Sequence, residues 1–327
     1  MTQAPHRILV LGGGSIGARH ARNLLVLNAG EVTIFEPEEK RRKVLEEELK
    51  IPAIGNESEA FAAARPDIVF VCSPTALHIP QAIRAVEAGA HVFLEKPLSH
   101  TMEKAEELRE KAEKGRRIVM VGCNMRFHPG TATVKRLLAS GAIGTPIAAR
   151  ILYSGYLPAW RPQQDYRKSY SASPDQGGVV LDCIHEIDLA LWYFGPGKVT
   201  GACVLPALSI GLETDGLAEM LVKHETGVLS SIHVNFIEQG MRRGCHILGS
   251  SGALSWDFTR GSVKQRGSMG KVTAEFKQPE TWTPNQMYVD ELQHFLDAVE
   301  QNKAPFGSLE EATQALKIAL AVRTHQS

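Results

Sequence analysis

The first part of the chain alternates between two patterns of apolar and polar positions. From residue 7 to about residue 123, short apolar runs predict strands at Ile8–Leu11, Val32–Phe35, Ile68–Cys72, His91–Leu94 and Ile118–Gly122. Amphipathic stretches between the runs predict helices at Glu38–Leu49, Glu57–Ala64, Ile79–Ala88 and Met102–Lys114, the last two with C-caps at Gly89 and Gly115. Strands that alternate with helices indicate a doubly wound α/β domain with a parallel sheet.

Beyond residue 123 the apolar segments become longer and alternate with a period of two. They predict strands at Ile147–Tyr153, Val199–Leu205, Leu217–His224, Val228–Phe236, Gly244–Leu248 and Ala253–Phe258. The sequence Glu225-Thr226-Gly227 is typical of a hairpin turn, so we expect a mostly antiparallel sheet. Helical runs at 285–302 and 309–323 follow, and Ser308 with Glu311 has the spacing of a capping box. The expected domains are an α/β domain over residues 1–123 and an α+β domain over residues 124–327.

Composition narrows the classes of partner. The chain has 327 residues and 43% apolar content, enough for two cores, and its 36 basic residues balance 36 acidic ones, so neither nucleic acid nor a membrane is an expected partner. The five cysteines are odd in number and contain no Cys-x-x-Cys pair, which indicates reduced thiols and not disulfides or structural zinc. The first residues run into a strand without an apolar signal segment, so we expect a cytoplasmic protein.

A glycine-rich turn follows the first predicted strand. Gly12 permits a tight turn, Gly14 lets backbone approach a pyrophosphate, and Gly17 lets helix and strand pack closely. The helix N-terminus after the turn then presents free N–H groups to a diphosphate. We therefore expect a dinucleotide to contact Gly12, Gly14, Ser15, Ile16 and Gly17. The alternative is a turn that packs helix on strand and holds no cofactor.

The end of the second predicted strand indicates which dinucleotide is bound. Glu36 lies 19 residues after Gly17, where a carboxylate accepts the adenosine ribose hydroxyls and repels a ribose phosphate. This position favours NAD. Arg41 and Arg42 follow closely, so NADP stays open, and we include Arg41 among the expected cofactor contacts.

Further candidates follow the later strands, because ligands of an open parallel sheet bind outside the carboxyl ends of its strands. The turn Ser73-Pro74-Thr75, with His78 beyond it, is expected beside the nicotinamide ribose. Glu95-Lys96-Pro97 follows the next strand, and Asn124 with Arg126 follows the one after that. We expect Glu95, Lys96 and Asn124 to contact the cofactor and Arg126 to contact a substrate.

In this order, these segments resemble the glucose–fructose oxidoreductase/inositol dehydrogenase family of NAD(P)-dependent enzymes. The resemblance covers nearly the whole chain and rests on Gly12–Gly17, Ser73-Pro74-Thr75 with His78, Glu95-Lys96-Pro97, Arg126-Phe127-x-Pro129, Gly141-x-Ile143-Gly144 and the segment from Gly177 to Asp188. It implies a homo-oligomer, a dimer or a tetramer, of a two-domain dehydrogenase. Hydride then passes between the nicotinamide and a secondary alcohol or ketone of a sugar, polyol or sugar derivative.

The resemblance also implies roles for two basic side chains. Lys96 reaches the substrate hydroxyl, with a cis peptide bond before Pro97, and His185 acts with it. Hydride transfer from a carbinol carbon requires loss of the hydroxyl proton, which a lysine or histidine with a pKa near neutrality can accept. The alternatives are a solvated Lys96 paired with Glu95 and a His185 that only covers an apolar helix stripe.

Two aspartates flank His185 at a spacing of three. Within one helix, either Asp182 or Asp188 would hydrogen-bond the imidazole and fix its tautomer, and Asp182 is also a candidate catalytic and substrate-contacting residue. The family commonly has three residues between this aspartate and the histidine, whereas here there are two, so the role of Asp182 departs from the family pattern. We expect no metal at these acids, because no remote ligand accompanies them.

A segment rich in aromatic and charged residues, Tyr156–Arg167, is expected to be a loop between the domains. Trp160, Arg161 and Tyr166 are candidates to stack on and hydrogen-bond a sugar. A surface or oligomer-contact loop is an equal alternative. Two other functions stay open, namely a glycosidase that holds NAD permanently and oxidises its substrate transiently, and a non-catalytic sensor that keeps the dinucleotide fold.

Overall fold

The computed structural model describes residues 5–325. They form two compact units, the first from the amino-terminal part to Asn124 together with Pro284–Thr313, the second from Met125–Thr283 together with the chain from Gln314 onward. The expectation of an N-terminus without a signal segment rests partly on residues 1–4, which lie outside the described residues. Within the described chain, every helix is too short or too polar to cross a membrane.

The first unit contains a six-stranded parallel sheet. Its strands are β1 (His6–Leu11), β2 (Gly30–Phe35), β3 (Ala53–Ile54), β4 (Ile68–Val71), β5 (His91–Glu95) and β6 (Val119–Gly122), in the spatial order β3-β2-β1-β4-β5-β6. The helices of this part are α1 (Ser15–Val26), α2 (Glu39–Leu49), α3 (Glu57–Ala64), α4 (His78–Glu87) and α5 (Ala105–Gly115). All four residues of β4 and the last four of β1 are fully buried, as a sheet covered on both faces requires. The doubly wound prediction is confirmed.

The second unit contains an eight-stranded sheet. Its strands are β7 (Pro146–Tyr156), β8 (Gly197–Pro206), β9 (Asp215–His224), β10 (Leu229–Asn235), β11 (Ile237–Gly249), β12 (Gly252–Asp257), β13 (Ser262–Arg266) and β14 (Val272–Lys277). They lie in the order β14-β13-β12-β11-β7-β10-β9-β8, and all neighbours except β7 and β10 are antiparallel. Four helices accompany this sheet, namely α6 (Pro129–Ala139), α7 (Leu157–Trp160), α8 (Val179–Asp182) and α9 (His185–Phe194). The predicted mostly antiparallel sheet is confirmed.

Two helices complete the chain, α10 (Gln286–Gln301) and α11 (Leu309–Thr324). The capping box at the start of α11 is present, because the backbone N–H of Glu311 donates to the Ser308 hydroxyl and that of Ser308 donates to the Glu311 carboxylate. The segment Pro284–Thr313 groups with the first unit, whereas the sequence places it in the second domain. Its Phe295 ring is buried and lies 5.7 Å from the ring of Phe70 and 5.6 Å from that of Phe93, measured between centroids.

Local details also differ from the expectations. Strands β3, β13 and β14 are additional, and the segment expected as a loop contains the short helix α7. The helix α5 continues through Gly115, and Arg116 adopts the left-handed conformation expected for a glycine C-cap, with a φ of 52°. The stretch around His185 is not one helix, since α8 ends at Asp182 and α9 begins at His185.

Replacing Phe295 by Ala should lower the free energy of unfolding by about 3–5 kcal/mol, because it opens a cavity between Phe70 and Phe93. Chemical denaturation monitored by circular dichroism measures the effect. The matched control is Phe306→Ala, since Phe306 is 52% exposed, and it should cost about 1 kcal/mol or less. Equal costs for the two variants would contradict the placement of α10 in the core of the first unit.

Candidate active site

The glycine turn after β1 has the geometry that a pyrophosphate requires. Gly12 has a φ of 98°, and a Cβ atom there would lie 2.8 Å from the carbonyl oxygen of Cys72. A Cβ at Gly17 would lie 1.9 Å from the carbonyl oxygen of Gly12, so both positions require glycine. At Gly14 no atom lies within 4 Å of the Cβ position, which leaves open space directly before α1 begins at Ser15. The turn is therefore packed closely against backbone at Gly12 and Gly17 and leaves space for a ligand at Gly14, next to the N-terminus of α1.

Glu36 holds a buried negative charge beside this turn. Its side chain is 3% exposed, and its Oε2 atom accepts from the backbone N–H of Gly13 at 2.9 Å and from Arg41 at 3.0 Å. Its Oε1 atom accepts from the backbone N–H of Glu38 at 2.9 Å. Arg42 donates to the carbonyl oxygen of Glu36. Arg41, expected as a cofactor contact, pairs with Glu36 and also with Glu38 at 2.7 Å.

The turn after β4 is fastened to the turn after β5 by His78. This side chain is buried, and its Nδ1 atom lies 2.8 Å from the carbonyl oxygen of Pro97 while its Nε2 atom lies 2.9 Å from that of Ser73. Burial lowers the pKa of His78. The Ser73 hydroxyl donates to Gln81 at 2.6 Å. His78 thus links the two loops. Pro74 precedes a short 3₁₀ turn that begins at Thr75.

Glu95 and Lys96 occupy the end of β5 in different ways. The Glu95 side chain is buried, with its Oε1 atom 2.6 Å from Nε2 of His20 and its Oε2 atom 3.2 Å from the backbone nitrogen of Lys96. Lys96 is partly exposed, and the peptide bond between Lys96 and Pro97 is cis, as the resemblance implies. The buried Glu95 side chain therefore holds the end of β5 in place, and the Lys96 side chain is partly accessible to solvent.

Asn124 follows β6 at the same edge of the sheet. Its side chain is buried, and within residues 5–325 its Oδ1 atom has no hydrogen-bond partner. A buried amide oxygen without a donor costs free energy, so such a group is typical of a position that meets a ligand. The contact between Asn124 and the cofactor stays a prediction.

Arg126 and Asp188 form a buried ion pair in the second unit. Two guanidinium nitrogens of Arg126 donate to the two carboxylate oxygens of Asp188, at 2.9 Å and 2.7 Å. Each side chain is 2% exposed. Asp188 is thus paired with Arg126, and a role for Asp188 in orienting His185 stays a prediction. Arg126, expected as a substrate contact, is held by this pair at the first turn of α9.

Asp182 and His185 lie on either side of the break between α8 and α9. Asp182 is buried, and it accepts hydrogen bonds from the hydroxyls of Tyr170 and Ser171, the second at 2.7 Å. His185 is 9% exposed and is the first residue of α9. Because the backbone leaves the helical path between them, the spacing of three does not place these side chains on one helix face. Tyr170 and Ser171, which hold Asp182, were not among the predicted site residues.

The aromatic segment after β7 borders a cavity of about 550 Å³ in the second unit. Trp160 is 39% exposed, packs edge-on against Phe236 at 5.2 Å between ring centroids, and lines the cavity together with Tyr153 and Met241. Tyr166 lies elsewhere in its segment and donates from its hydroxyl to the carbonyl oxygen of Ile210 at 2.8 Å. Arg161 is exposed. The sequence did not single out Tyr153, although its alternation along β7 places it on the same side as the buried Ile151.

Tyr153 connects this cavity to the start of α9. The guanidinium of Arg243 lies 5.1 Å from the centroid of the Tyr153 ring and donates to Glu186, the residue after His185, at 2.7 Å. Burial raises the pKa of Tyr153, so its hydroxyl stays protonated. A sugar-sized ligand in the cavity would therefore meet aromatic faces and a hydroxyl near the beginning of α9.

Across residues 5–325, no group of three or more histidine, cysteine, aspartate or glutamate side chains is arranged to hold a metal ion.

Comparison with protein families gives two matches. Residues 6–123 match the oxidoreductase family model for an NAD-binding Rossmann fold, and residues 131–255 match the C-terminal domain of the GFO/IDH/MocA family. The two matched regions correspond to the parallel sheet and to most of the antiparallel sheet.

Individual relatives cover nearly the whole chain. A scyllo-inositol 2-dehydrogenase (NAD(+)) of Bacillus subtilis is 27% identical, over 96% of this chain and 92% of that protein. A myo-inositol 2-dehydrogenase of Thermotoga maritima is 28% identical, over 97% and 95%. Among solved structures, levoglucosan dehydrogenase in complex with NADH and levoglucosan has the same fold, with a TM-score of 0.88, 18% identity and coverage of 98% and 96%.

Replacing Asp188 by Asn should lower the free energy of unfolding by about 3–5 kcal/mol, because Arg126 is left with an uncompensated buried charge. Replacing both residues, Arg126 by Met and Asp188 by Leu, should recover most of that loss. Thermal and chemical unfolding of the single and double variants measure this. A double variant less stable than Asp188→Asn would show that the pair is not the source of the effect.

Replacing Glu36 by Ser should lower kcat/KM with NAD by about 10–100-fold, because a charged acceptor is lost, and should raise the ratio of NADP to NAD activity. Initial rates with both cofactors measure this change. The control is Glu38→Ser, which removes an exposed partner of Arg41 and should change the ratio by about threefold or less. An unchanged cofactor ratio in Glu36→Ser would refute the role of Glu36.

Proposed function

Because the chain belongs to the GFO/IDH/MocA oxidoreductase family, whose amino-terminal domain is an NAD-binding Rossmann fold, we propose that it is a dehydrogenase that exchanges hydride between NAD and a ring secondary alcohol of a cyclic polyol or sugar. The observation that carries the proposal is the position of Lys96. It follows β5 directly, and the glycine turn follows β1 in the same parallel sheet. Carboxyl ends of parallel strands meet at one edge, so the proton acceptor and the cofactor cradle share that edge.

In this proposal the first unit binds and selects the cofactor. The pyrophosphate binds in the open space beside Gly14, at the N-terminus of α1. The Glu36 carboxylate accepts hydrogen bonds from the ribose hydroxyls. The Asn124 amide oxygen, without a donor among the described residues, accepts from the cofactor. NAD supplies the hydride acceptor when it is bound. The buried charge of Glu36 disfavours a ribose phosphate and supports NAD over NADP.

Proton transfer falls to Lys96 and His185. Removal of hydride from a carbinol carbon requires that the hydroxyl lose its proton, and Lys96 accepts it in the oxidation direction. His185, the first residue of α9, acts on the same hydroxyl as a second proton acceptor. The next residue along the chain, Glu186, is paired with Arg243. Asp182 holds its orientation through Tyr170 and Ser171 and contributes to substrate binding.

The substrate class follows from the second unit and from the relatives. The cavity beside Trp160 presents aromatic faces and a tyrosine hydroxyl, a combination that suits a ring carrying several hydroxyls. Two relatives that match nearly the whole chain carry the names of inositol dehydrogenases. We therefore place cyclic polyols first and monosaccharides second among the substrates.

The same proposal includes a homo-oligomer in the cytoplasm. The eight-stranded sheet carries exposed leucines on several strands, among them Leu205, Leu221 and Leu248, each more than 40% exposed. Exposed apolar side chains on one sheet are typical of an interface between copies. All five cysteines are free, which suits a reducing compartment.

The direct test is the absorbance of reduced nicotinamide with purified protein, NAD or NADP, and a panel of inositols, polyols and sugars. The proposal expects NADH formation with at least one cyclic polyol or sugar. Release of free sugar from a glycoside without NADH accumulation would identify the redox glycosidase instead. Cofactor binding without turnover on any member of the panel, in either direction, would favour the sensor.

Replacing Lys96 by Met should lower kcat by about 10²–10⁴-fold, because the proton acceptor is lost, and should change the Kd for NAD by about threefold or less. Steady-state rates and quenching of protein fluorescence measure the two quantities. The control is Lys114→Met, which removes an exposed lysine of the same unit and should leave kcat unchanged. Turnover at the wild-type rate in Lys96→Met would exclude Lys96 as the proton acceptor.

A further inference from the structure

A histidine lies in the aromatic core of the first unit, where nothing in the proposed reaction uses it directly. His20 belongs to α1 and is fully buried. Its ring centroid lies 5.1 Å from that of Phe93, 6.0 Å from that of Phe70 and 6.1 Å from that of Tyr288. A polar ring in such surroundings costs free energy unless it makes a strong hydrogen bond, so its partner is informative.

The partner of His20 is the carboxylate of Glu95. The Nε2 atom of His20 lies 2.6 Å from Oε1 of Glu95. The other ring nitrogen, Nδ1, is buried and has no hydrogen-bond partner within residues 5–325. A carboxylate has only acceptor atoms, so Nε2 of His20 donates to Glu95.

The second oxygen of Glu95 faces Lys96. It accepts from the backbone N–H of Lys96 at 3.2 Å, so the carboxylate bridges α1 and the residue that carries the proposed proton acceptor. Burial raises the pKa of Glu95, but the hydrogen bond and the charge of His20, and after them the charge of Lys96, outweigh it, and the pKa is lowered overall. The ionised carboxylate thus lies directly beside the lysine.

Other titratable groups lie around the His20–Glu95 pair and interact with its charge. Burial raises the pKa of the Cys72 thiol at the end of β4, and the charges of Glu95 and of Glu291 on α10 add to that effect. Tyr288 on the same helix lies under the guanidinium of Arg19. His78 approaches from the start of α4.

We propose that His20 is a positioning residue for Lys96, which it serves by keeping Glu95 ionised and turned toward the Lys96 backbone. The inference rests on the proposed proton transfer by Lys96. Without the donor at Nε2, a buried carboxylate takes up a proton or leaves its position. The Lys96 cation then loses a neighbouring negative charge and releases its proton more readily.

The consequence is a specific change in the pH profile of the oxidation reaction, in which Lys96 acts as the base. Loss of the neighbouring negative charge moves the midpoint of the ascending limb of kcat to lower pH by about one unit. A residue that only fills the core lowers kcat at every pH and leaves the midpoint where it is. The position of this midpoint therefore separates positioning from packing.

The kinetic test compares His20→Leu, which removes the donor, with His20→Gln, which retains an N–H donor, and with Glu95→Gln, which removes the charge. The probe is myo-inositol with NAD, or the polyol with the fastest NADH formation in the panel above. We expect His20→Leu and Glu95→Gln to shift the midpoint downward by about one unit and to lower kcat by about tenfold. The Kd for NAD should change by about threefold or less, and His20→Gln should keep the wild-type midpoint.

The double variant His20→Leu/Glu95→Gln shows whether His20 acts through Glu95. Its midpoint should equal that of Glu95→Gln alone, because the second change removes a donor whose acceptor is already uncharged. Additive shifts, or a lower kcat with an unchanged midpoint in His20→Leu, would overturn the inference. If His20→Leu does not fold, His20→Phe, which also removes the donor but keeps a ring in this aromatic core, supplies the same comparison.

Two further measurements keep the inference separate from the proposed function. If Lys96→Met keeps the ascending limb of the wild-type profile, the role of Lys96 fails, whatever His20 does. Independently of any substrate, NMR of protein labelled with ¹⁵N-histidine identifies His20 by the signal lost in His20→Gln. We expect ¹⁵N shifts that show a proton on Nε2, and a ring that carries its proton on Nδ1 alone would contradict the inference.

Discussion

Burial of both faces of the parallel sheet is the constraint on which the rest of the first unit depends. The central strands are so apolar that both faces of the sheet must be covered. Helices in the connections between strands cover them, and such crossover connections make neighbouring strands parallel. As a result, the loops after β1, β4, β5 and β6 all open at one edge. Residues far apart in the chain, from Gly14 to Asn124, therefore lie at the same edge because of the strand order alone.

Buried carboxylates give this scaffold its chemical specificity. Glu36 and Glu95 in the first unit, and Asp182 and Asp188 in the second, are each almost inaccessible, and each is held by hydrogen-bond donors. Burial of a charge is unfavourable unless donors replace water, so these donors also fix where the charge lies. A fixed charge can select a cofactor or support a proton acceptor without reorganisation during the reaction.

Local patterns in the sequence were sufficient for the glycine turn, for Glu36 and for the segment around Lys96, because strand, turn and helix signals there lie within a few residues. Pairings across long separations were not predictable in this way. The partner of Asp188 is Arg126, 62 residues away, and its identity depends on how α9 packs. The break between α8 and α9 contains neither glycine nor proline, so the local sequence does not predict it. The packing of Pro284–Thr313 likewise arises only from tertiary contacts.

In the proposed reaction, hydride passes directly between a carbinol carbon and the nicotinamide. Incubation of the protein with NAD and myo-inositol deuterated at its ring carbons, or the corresponding deuterated form of the best substrate in the panel, tests it most directly. Mass spectrometry of the nicotinamide product gives the readout. Direct transfer predicts reduced cofactor that carries one deuterium. Reduced cofactor without deuterium, or product sugar that has exchanged its label with water while NAD stays oxidised, would contradict the account.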